Sequence, residues 1–191
     1  MIKFIDTAFM SGRTFSAGMI AEFDPVIESA LIAEGDAVEY STVELPVEVL
    51  SSYAYPIACI STGTDEILAS FTIPGGILGP NSIIQITPLW TFPSTANEKK
   101  LKVKVGGITI YSATRTTSTK EGPLVVLANR NSLTSQIVPY DSGYFTAGST
   151  TPLTANIDMT DSVTVEFIAQ RANGSESVKL EYYCALHFRG V

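Results

Sequence analysis

The stretch that most constrains the fold is KKLKVKVGGITIYSA, residues 99–113. Lys100, Lys102 and Lys104 alternate with Leu101, Val103 and Val105, and Ile108 and Ile110 follow Gly106-Gly107. Successive side chains of a strand point to opposite faces, so the lysine run reads as a strand with one dry and one wet face. The glycine pair predicts a two-residue turn. Upstream, Ser82 to Trp90 alternates Ile84, Ile86 and Pro88 with Ile83, Gln85 and Thr87. With the polar loop at Asn97-Glu98, the three segments read as a meander. A meander of three strands cannot bury both of its faces, so the rest of the chain must supply an opposing sheet.

Other segments carry the same signal. Residues 57–61 and 66–73 read as strands around the turn Thr62-Gly63-Thr64-Asp65, and 124–128 and 135–140 as two more. Val163, Val165, Phe167 and Ala169 alternate in a further strand. Asn173-Gly174 predicts a turn into a last one carrying Val178, Leu180, Tyr182 and Cys184. Short strands separated by turn signals define an antiparallel β-sandwich, and about eight of them fit a jelly roll. Residues 141–156 form a long Gly/Thr/Ser loop, and loops of that length in a compact domain are usually functional or disordered.

The first residues read differently. IKFI and Met19 to Phe23 are short strands, Asp24-Pro25 opens a helix as N-cap and first helical residue, and Gly35 closes it. Ala37 to Tyr40 returns as a strand. This small α+β unit (ββαβ, residues 1–41) is short for independent stability and gains from docking on something else. Residues 42–56 read as an extended connector, which adds an edge strand, packs on a neighbour or simply links; the sandwich spans 57–191.

Charge follows the same division. The net charge is −7, and residues 1–55 hold nine acidic and two basic side chains, so the whole imbalance sits at the front. Such a balance argues against nucleic acid or an anionic membrane as partner and for a basic patch on another protein. With 45% apolar and 16% charged residues the chain can build a sizeable core. No apolar run is long enough to span a membrane, and the opening residues lack the apolar core of a secretory signal, so synthesis in a cytoplasm is expected.

Little in the sequence carries chemistry. The chain has one histidine, His187, in the apolar terminal segment ALHF, where a structural role is expected. Cys59, Cys184 and His187 are too few for a structural zinc site. Gly75-Gly76 with Gly79 precedes a strand, not the helix a phosphate loop needs. No catalytic, metal or cofactor residue is assigned. The lysines at 99, 100, 102 and 104 read as a solvated face, Trp90 as core, and Asn173-Gly174-Ser175 as a hairpin turn. Tyr144 and Phe145, in the long loop, are the candidate exposed contact, because exposed aromatics there call for a partner.

The residues Ile73, Pro74, Gly75, Gly76, Leu78, Gly79, Pro80, Asn81, Leu89, Trp90, Ser94, Asn97, Leu101, Val103, Gly106 and Gly107, in that order, resemble a jelly-roll module of tailed-phage virion proteins. The resemblance covers roughly the last two thirds of the chain. The first forty residues resemble a small domain recurrent in phage structural proteins. Members of the group decorate heads or form fibres and tail tips, usually as trimers. The resemblance implies a non-enzymatic virion protein: a trimeric head decoration or head-fibre protein that binds the major capsid or another virion protein through residues 1–41. The alternative is a tail tip that recognises host surface glycan. The chain has no repeats or long heptads for a fibre shaft, which favours the head. Independently, Leu124 to Ala128 is apolar on both faces, and a sandwich has one internal layer only. The outer face of that strand needs a cover, and the expected subunit contact is Val125, Val126 and Leu127 with Val47 and Leu50.

Overall fold

The computed structural model describes residues 2–4, 8–10, 13–15, 20–21, 27, 30–32, 37–39, 47–139 and 151–190. The chain divides into two compact units, Met1–Leu45 and Pro46–Val191. In the first, β1 (Ile2–Phe4) lies between two antiparallel neighbours, β4 (Ile20–Ala21) and β5 (Ala37–Glu39), and β2 (Ala8–Met10) pairs with β3 (Arg13–Phe15). Residues 27 and 30–32 are helical, with Leu31 buried and Ile27, Ala30 and Ile32 exposed, so of the apolar spacing Ile27, Ala30 and Leu31 only Leu31 is covered. This is the expected α+β unit, with a hairpin added. The helix-capping residues Asp24, Pro25 and Gly35 lie outside the described residues.

The second unit is an antiparallel β-sandwich of jelly-roll type. Its strands are β6 (Val47–Tyr53), β7 (Ile57–Ala58), β8 (Glu66–Ile73), β9 (Ile83–Thr91), β10 (Lys99–Val105), β11 (Ile108–Arg115), β12 (Lys120–Glu121), β13 (Val125–Asn129), β14 (Gln136–Val138), β15 (Leu153–Ala155), β16 (Val163–Arg171) and β17 (Lys179–Phe188). The smaller sheet runs β11-β10-β16-β8. The larger runs β15-β14-β13-β9-β17-β6, with β12 on β9 and β7 on β17.

The hairpin β10–β11 forms as its sequence dictates. Val105 faces Ile108 across Gly106 and Gly107, whose φ values of 56° and 78° are the two positive angles of a type I′ turn. The expected meander does not form. β9 lies in the larger sheet between β13 and β17, whereas β10 and β11 lie in the smaller one. Likewise β16 and β17 sit in opposite sheets and make no hairpin across Asn173-Gly174. Both segments alternate cleanly, but alternation fixes which side chains point inward and not which strand lies alongside. Segment 92–98 and segment 172–178 therefore cross from sheet to sheet.

The inward side chains meet in one core. Leu101, Val103, Val105, Val165 and Phe167 come from the smaller sheet, and Ile84, Ile86, Trp90, Val125, Leu127 and Ala185 from the larger. Phe167 and Tyr183 stack across the interface at 4.3 Å between ring centroids. Each fully buried aliphatic side chain of this kind stabilises the fold by roughly 1.5–3 kcal/mol. Gly75 fits against the backbone of Thr160, where an added Cβ would fall 2.3 Å from the carbonyl oxygen. The glycine run is thus a close-packed turn between strands.

Val47–Tyr53, within the stretch read as a connector, is the edge strand of the larger sheet, paired along β17 from Tyr53↔Tyr183 to Val47↔Phe188. Leu153–Ala155 and Lys120–Glu121 are further strands that the polar sequence around them hides.

Candidate interaction site

Register and burial together assign the two faces of the larger sheet. On β9, Ile84, Ile86 and Trp90 are buried, so Ile83, Gln85, Thr87 and Leu89 point outward. Their register partners on β17 are Phe188, Leu186, Cys184 and Tyr182. On β6 the same face carries Val47, Val49 and Ser52, and on β13 Val126 and Ala128. Every one of these outward positions, from Ile83 to Leu89 of β9 and across its neighbours, is uncharged. Val49 is 60% exposed, and Val47, Ile83 and Tyr182 are exposed as well. Between Ile83 and Leu89 the outer face of β6-β17-β9-β13 is uncharged and largely apolar; at the Thr91 end Lys179 and Glu181 of β17 bring charge to it.

The residues expected at a subunit contact divide between the two faces. Val125 and Leu127 point inward and are buried in the sandwich's own core. Val126 lies half-buried on the outer face and Val47 is exposed there. Leu50, at the β6 irregularity between Ser51 and Val49, packs against the core. The strand is apolar on successive residues because both faces of it are apolar, as the sequence required, but only Val126 and Ala128 face out. Val49, Leu186 and Phe188 stand on the same outer face, placed there by the pairing of β6 with β17, which carries no local signal. Tyr144 and Phe145 lie outside the described residues.

His187 stands in a buried polar chain. Ser82 Oγ accepts the Gly79 N–H at 2.8 Å and lies 2.8 Å from His187 Nε2. His187 Nδ1 is 3.6 Å from the Glu48 carboxylate, which Arg189 approaches at 3.3 Å. Burial pulls the His187 pKa below its ordinary value, against the pull of Glu48. Burial favours the neutral ring, and in the tautomer that carries its hydrogen on Nδ1 the Nε2 accepts the Ser82 hydroxyl proton. The order serine, histidine, carboxylate is that of a hydrolase triad. Here Ser82 is 2% and His187 1% exposed, so the hydroxyl is sealed from solvent in this form. The Ser82–His187 bond ties the C-terminal strand to the turn before β9, and Glu48 stands beside the ring from the edge strand.

A second polar cluster corrects the reading of the lysine run. Lys100, Lys102 and Lys104 do stand on the wetter face, and Lys102 pairs with Asp65 at 2.6 Å. Lys99 is fully buried, because it shares the inward parity of Leu101. Its ammonium donates to Thr95 Oγ1 at 2.7 Å and to the Thr116 carbonyl at 2.8 Å, and lies 3.4 Å from Glu176. Glu176 also accepts from Asn97 and Thr95, each at 2.8 Å, and these bonds hold its carboxyl below the usual range. Cys59 donates to Glu66, and burial pushes its thiol up to about 11, so it is an inert thiol. Cys59 and Cys184 are both free.

A surface cleft of about 500 Å³ opens where the β10–β11 turn meets residues 156–166, with Asp158, Asp161 and Glu166 on its wall. Asp158 is turned onto Thr160, whose hydroxyl and N–H it accepts and which lower its pKa. Among the described residues, no three His, Cys, Asp or Glu side chains are grouped to hold a metal, and no helix is long and apolar enough to cross a membrane.

No family model matches the sequence, and no curated protein is significantly similar to it. Several solved structures show a partial likeness to the chain. A CBM36 carbohydrate-binding module in complex with calcium and xylotriose is 14% identical, over 72% of this chain and 91% of that one, with a TM-score of 0.35. The structure of infectious bursal disease virus, Gx strain, is 12% identical over 75% of this chain and 31% of the other, at 0.37. The CBM2 module of the evolved Dit of Lactobacillus casei BL23 phage J-1 is 10% identical over 64% and 69%, at 0.30.

Proposed function

We propose that the chain is a non-enzymatic structural protein of a tailed-phage virion, a trimeric head decoration or head-fibre protein held to the capsid by residues 1–41. The observation that carries this reading is the outer face of β6-β17-β9-β13, uncharged between Ile83 and Leu89, with Val47, Val49 and Ile83 exposed on it. A monomeric sandwich needs only its inner faces apolar, and an outer face in water is ordinarily polar. The uncharged stretch from Ile83 to Leu89 and across its neighbours favours a partner of the same kind, and another copy of the chain presents one. Closed cyclic symmetry covers such faces without leaving an open, polymerising end. The number three comes from the resemblance of residues 73–107 to phage virion modules. The acidic balance of residues 1–55 supports a basic patch on the capsid as the anchoring surface.

Light scattering on the full chain tests the assembly. The expected result is a trimer at micromolar concentration that Val49→Asp and Val126→Asp, together, convert to monomer, because each places an unpaired charge in the contact. A monomeric wild-type protein overturns the trimer. Binding of the full chain to phage particles lacking it, and its loss on deleting residues 1–41, tests the anchor separately.

A further inference from the structure

We propose that the corner where the turn 79–82, the start of β6 and the end of β17 meet is an acid-sensitive latch, which rearranges within the folded chain when His187 takes up a proton. Ser82 closes its turn twice. Its N–H donates to the Gly79 carbonyl at 3.1 Å, and its Oγ accepts the Gly79 N–H at 2.8 Å. Asn129 fastens the same turn to β13, its N–H donating to the Ser82 carbonyl at 2.9 Å and its Nδ2 to the Gly79 carbonyl at 2.8 Å. The buried His187 ring reaches Ser82 Oγ through Nε2 at 2.8 Å. Its Nδ1 has no hydrogen-bond partner and faces the Glu48 carboxylate at 3.6 Å. A hydrogen on Nδ1 is the one that carboxylate attracts, which leaves Nε2 to accept the Ser82 hydroxyl proton.

A second proton must go on Nε2, the atom that holds Ser82. Nε2 then turns from acceptor to donor, Ser82 Oγ must accept from it as well as from Gly79, and the serine proton loses its acceptor. The new positive charge draws Glu48, which Arg189 also approaches at 3.3 Å, so one carboxylate is shared between two cations. Glu48 of β6 and Arg189 beyond the end of β17 are the charged groups that face the ring. The turn offers it Ser82, and β9 offers Ile84, its register partner. The corner leaves little room for the exchange. Gly190 lies against Asn81, where an added Cβ would fall 2.3 Å from the Asn81 Cβ, so the turn cannot relax without the end of β17. Each member of the hydrogen-bonded chain is also next in sequence to outward residues of the larger sheet: Ser82 to Ile83, Glu48 to Val47 and Val49, His187 to Leu186 and Phe188. The latch thus sets one corner of that face. Burial keeps the ring neutral until the pH falls below the ordinary histidine range, so the switch lies on the acid side of 6.5. All its parts belong to one chain, and it does not depend on the virion reading.

The test is an NMR titration of the full chain from about pH 7.5 to about pH 5, with the single histidine labelled in its ring nitrogens. The neutral ring should carry its hydrogen on Nδ1 and titrate with a midpoint below 6.5. The amides of Gly79, Ser82 and Val49 should shift with that same midpoint, while those of Val103 and Phe167 in the smaller sheet stay in place. Glu48→Gln, a change at an exposed side chain, should lower the ring and amide midpoints together. His187→Gln should abolish the transition at Gly79 and Ser82. A ring hydrogen on Nε2 at neutral pH, amides at Gly79 and Ser82 that do not follow the ring, or the same amide transition in His187→Gln overturns the proposal. So does loss of the whole amide spectrum along with the ring titration, which is global unfolding and no latch. If His187→Gln fails to fold, the wild-type and Glu48→Gln titrations still decide.

Discussion

Lys99 Nζ lies 3.4 Å from the Glu176 carboxylate, with both side chains sealed inside the sandwich where segments 92–98 and 172–178 cross between sheets. Thr95, Asn97 and Thr116 supply the hydrogen bonds that make such burial tolerable. One ionic cluster thus ties the two crossings together, beside the bond that the Ala172 N–H donates to the Glu98 carbonyl at 3.1 Å.

Removing one partner of that pair leaves the other charge buried alone, which is far worse than removing both. Lys99→Met should lower the melting temperature by roughly 10 °C. The double variant Lys99→Met with Glu176→Leu should recover most of the loss. Scanning calorimetry on the single and double variants checks this, and equal damage in both would show that the pair contributes no coupling.

The Glu176 carboxyl is held low by Asn97 and Thr95, so its folded pKa lies below the unfolded value of 4.5. The stability it contributes is present above pH 4.5 and is lost as pH falls through the folded value. Asn97→Ala removes the first of those bonds and should shift the acid-unfolding midpoint upward, read by circular dichroism.

His187 behaves in the opposite range. Its folded pKa is lowered by burial from 6.5, so the unfolded chain binds the proton more readily. Stability should be full above pH 6.5 and fall as pH drops below it, levelling once the folded pKa is passed. His187 is the chain's single histidine, so the urea midpoint of His187→Gln should be nearly flat between about pH 5.5 and 7.5, where the wild type slopes. Glu48 and Arg189 both face the ring, and Glu48→Gln should steepen the slope by removing the carboxylate that favours the protonated form.

The β10–β11 turn requires φ of 78° at Gly107, where an added Cβ meets nothing within 4 Å. Conformation alone is at stake there. Gly107→Asn should cost little and Gly107→Val about 1–2 kcal/mol in chemical denaturation. At Gly75 the backbone of Thr160 blocks any Cβ, so Gly75→Ala should cost more than Gly107→Asn although alanine is smaller.

Deletion should respect the sandwich and not the earlier boundary at residue 57. A fragment of 46–191 keeps β6 on β17 and should fold with a cooperative melt. A fragment of 57–191 exposes the β17 edge and uncovers Tyr183, and should aggregate or melt at a lower temperature. Equal melting temperatures for the two would deny β6 a structural role.

The sequence by itself determined the local geometry: that Leu101, Val103 and Val105 face inward, that Gly106-Gly107 turns the chain, that Trp90 is core, and that the whole is an antiparallel sandwich. These follow from a two-residue side-chain period and from backbone angles that glycine adopts freely. The parity of Lys99 with Leu101 was legible too, yet a lysine at an inward position has meaning only once Glu176 is known to meet it. Tertiary structure alone decided which strands are neighbours: β9 beside β17 and not β10, β6 along the edge, Ser82 against His187, Tyr53 upon Tyr183. Strand pairing is a long-range choice, settled by burial of both sheets at once, and no period within one segment records it.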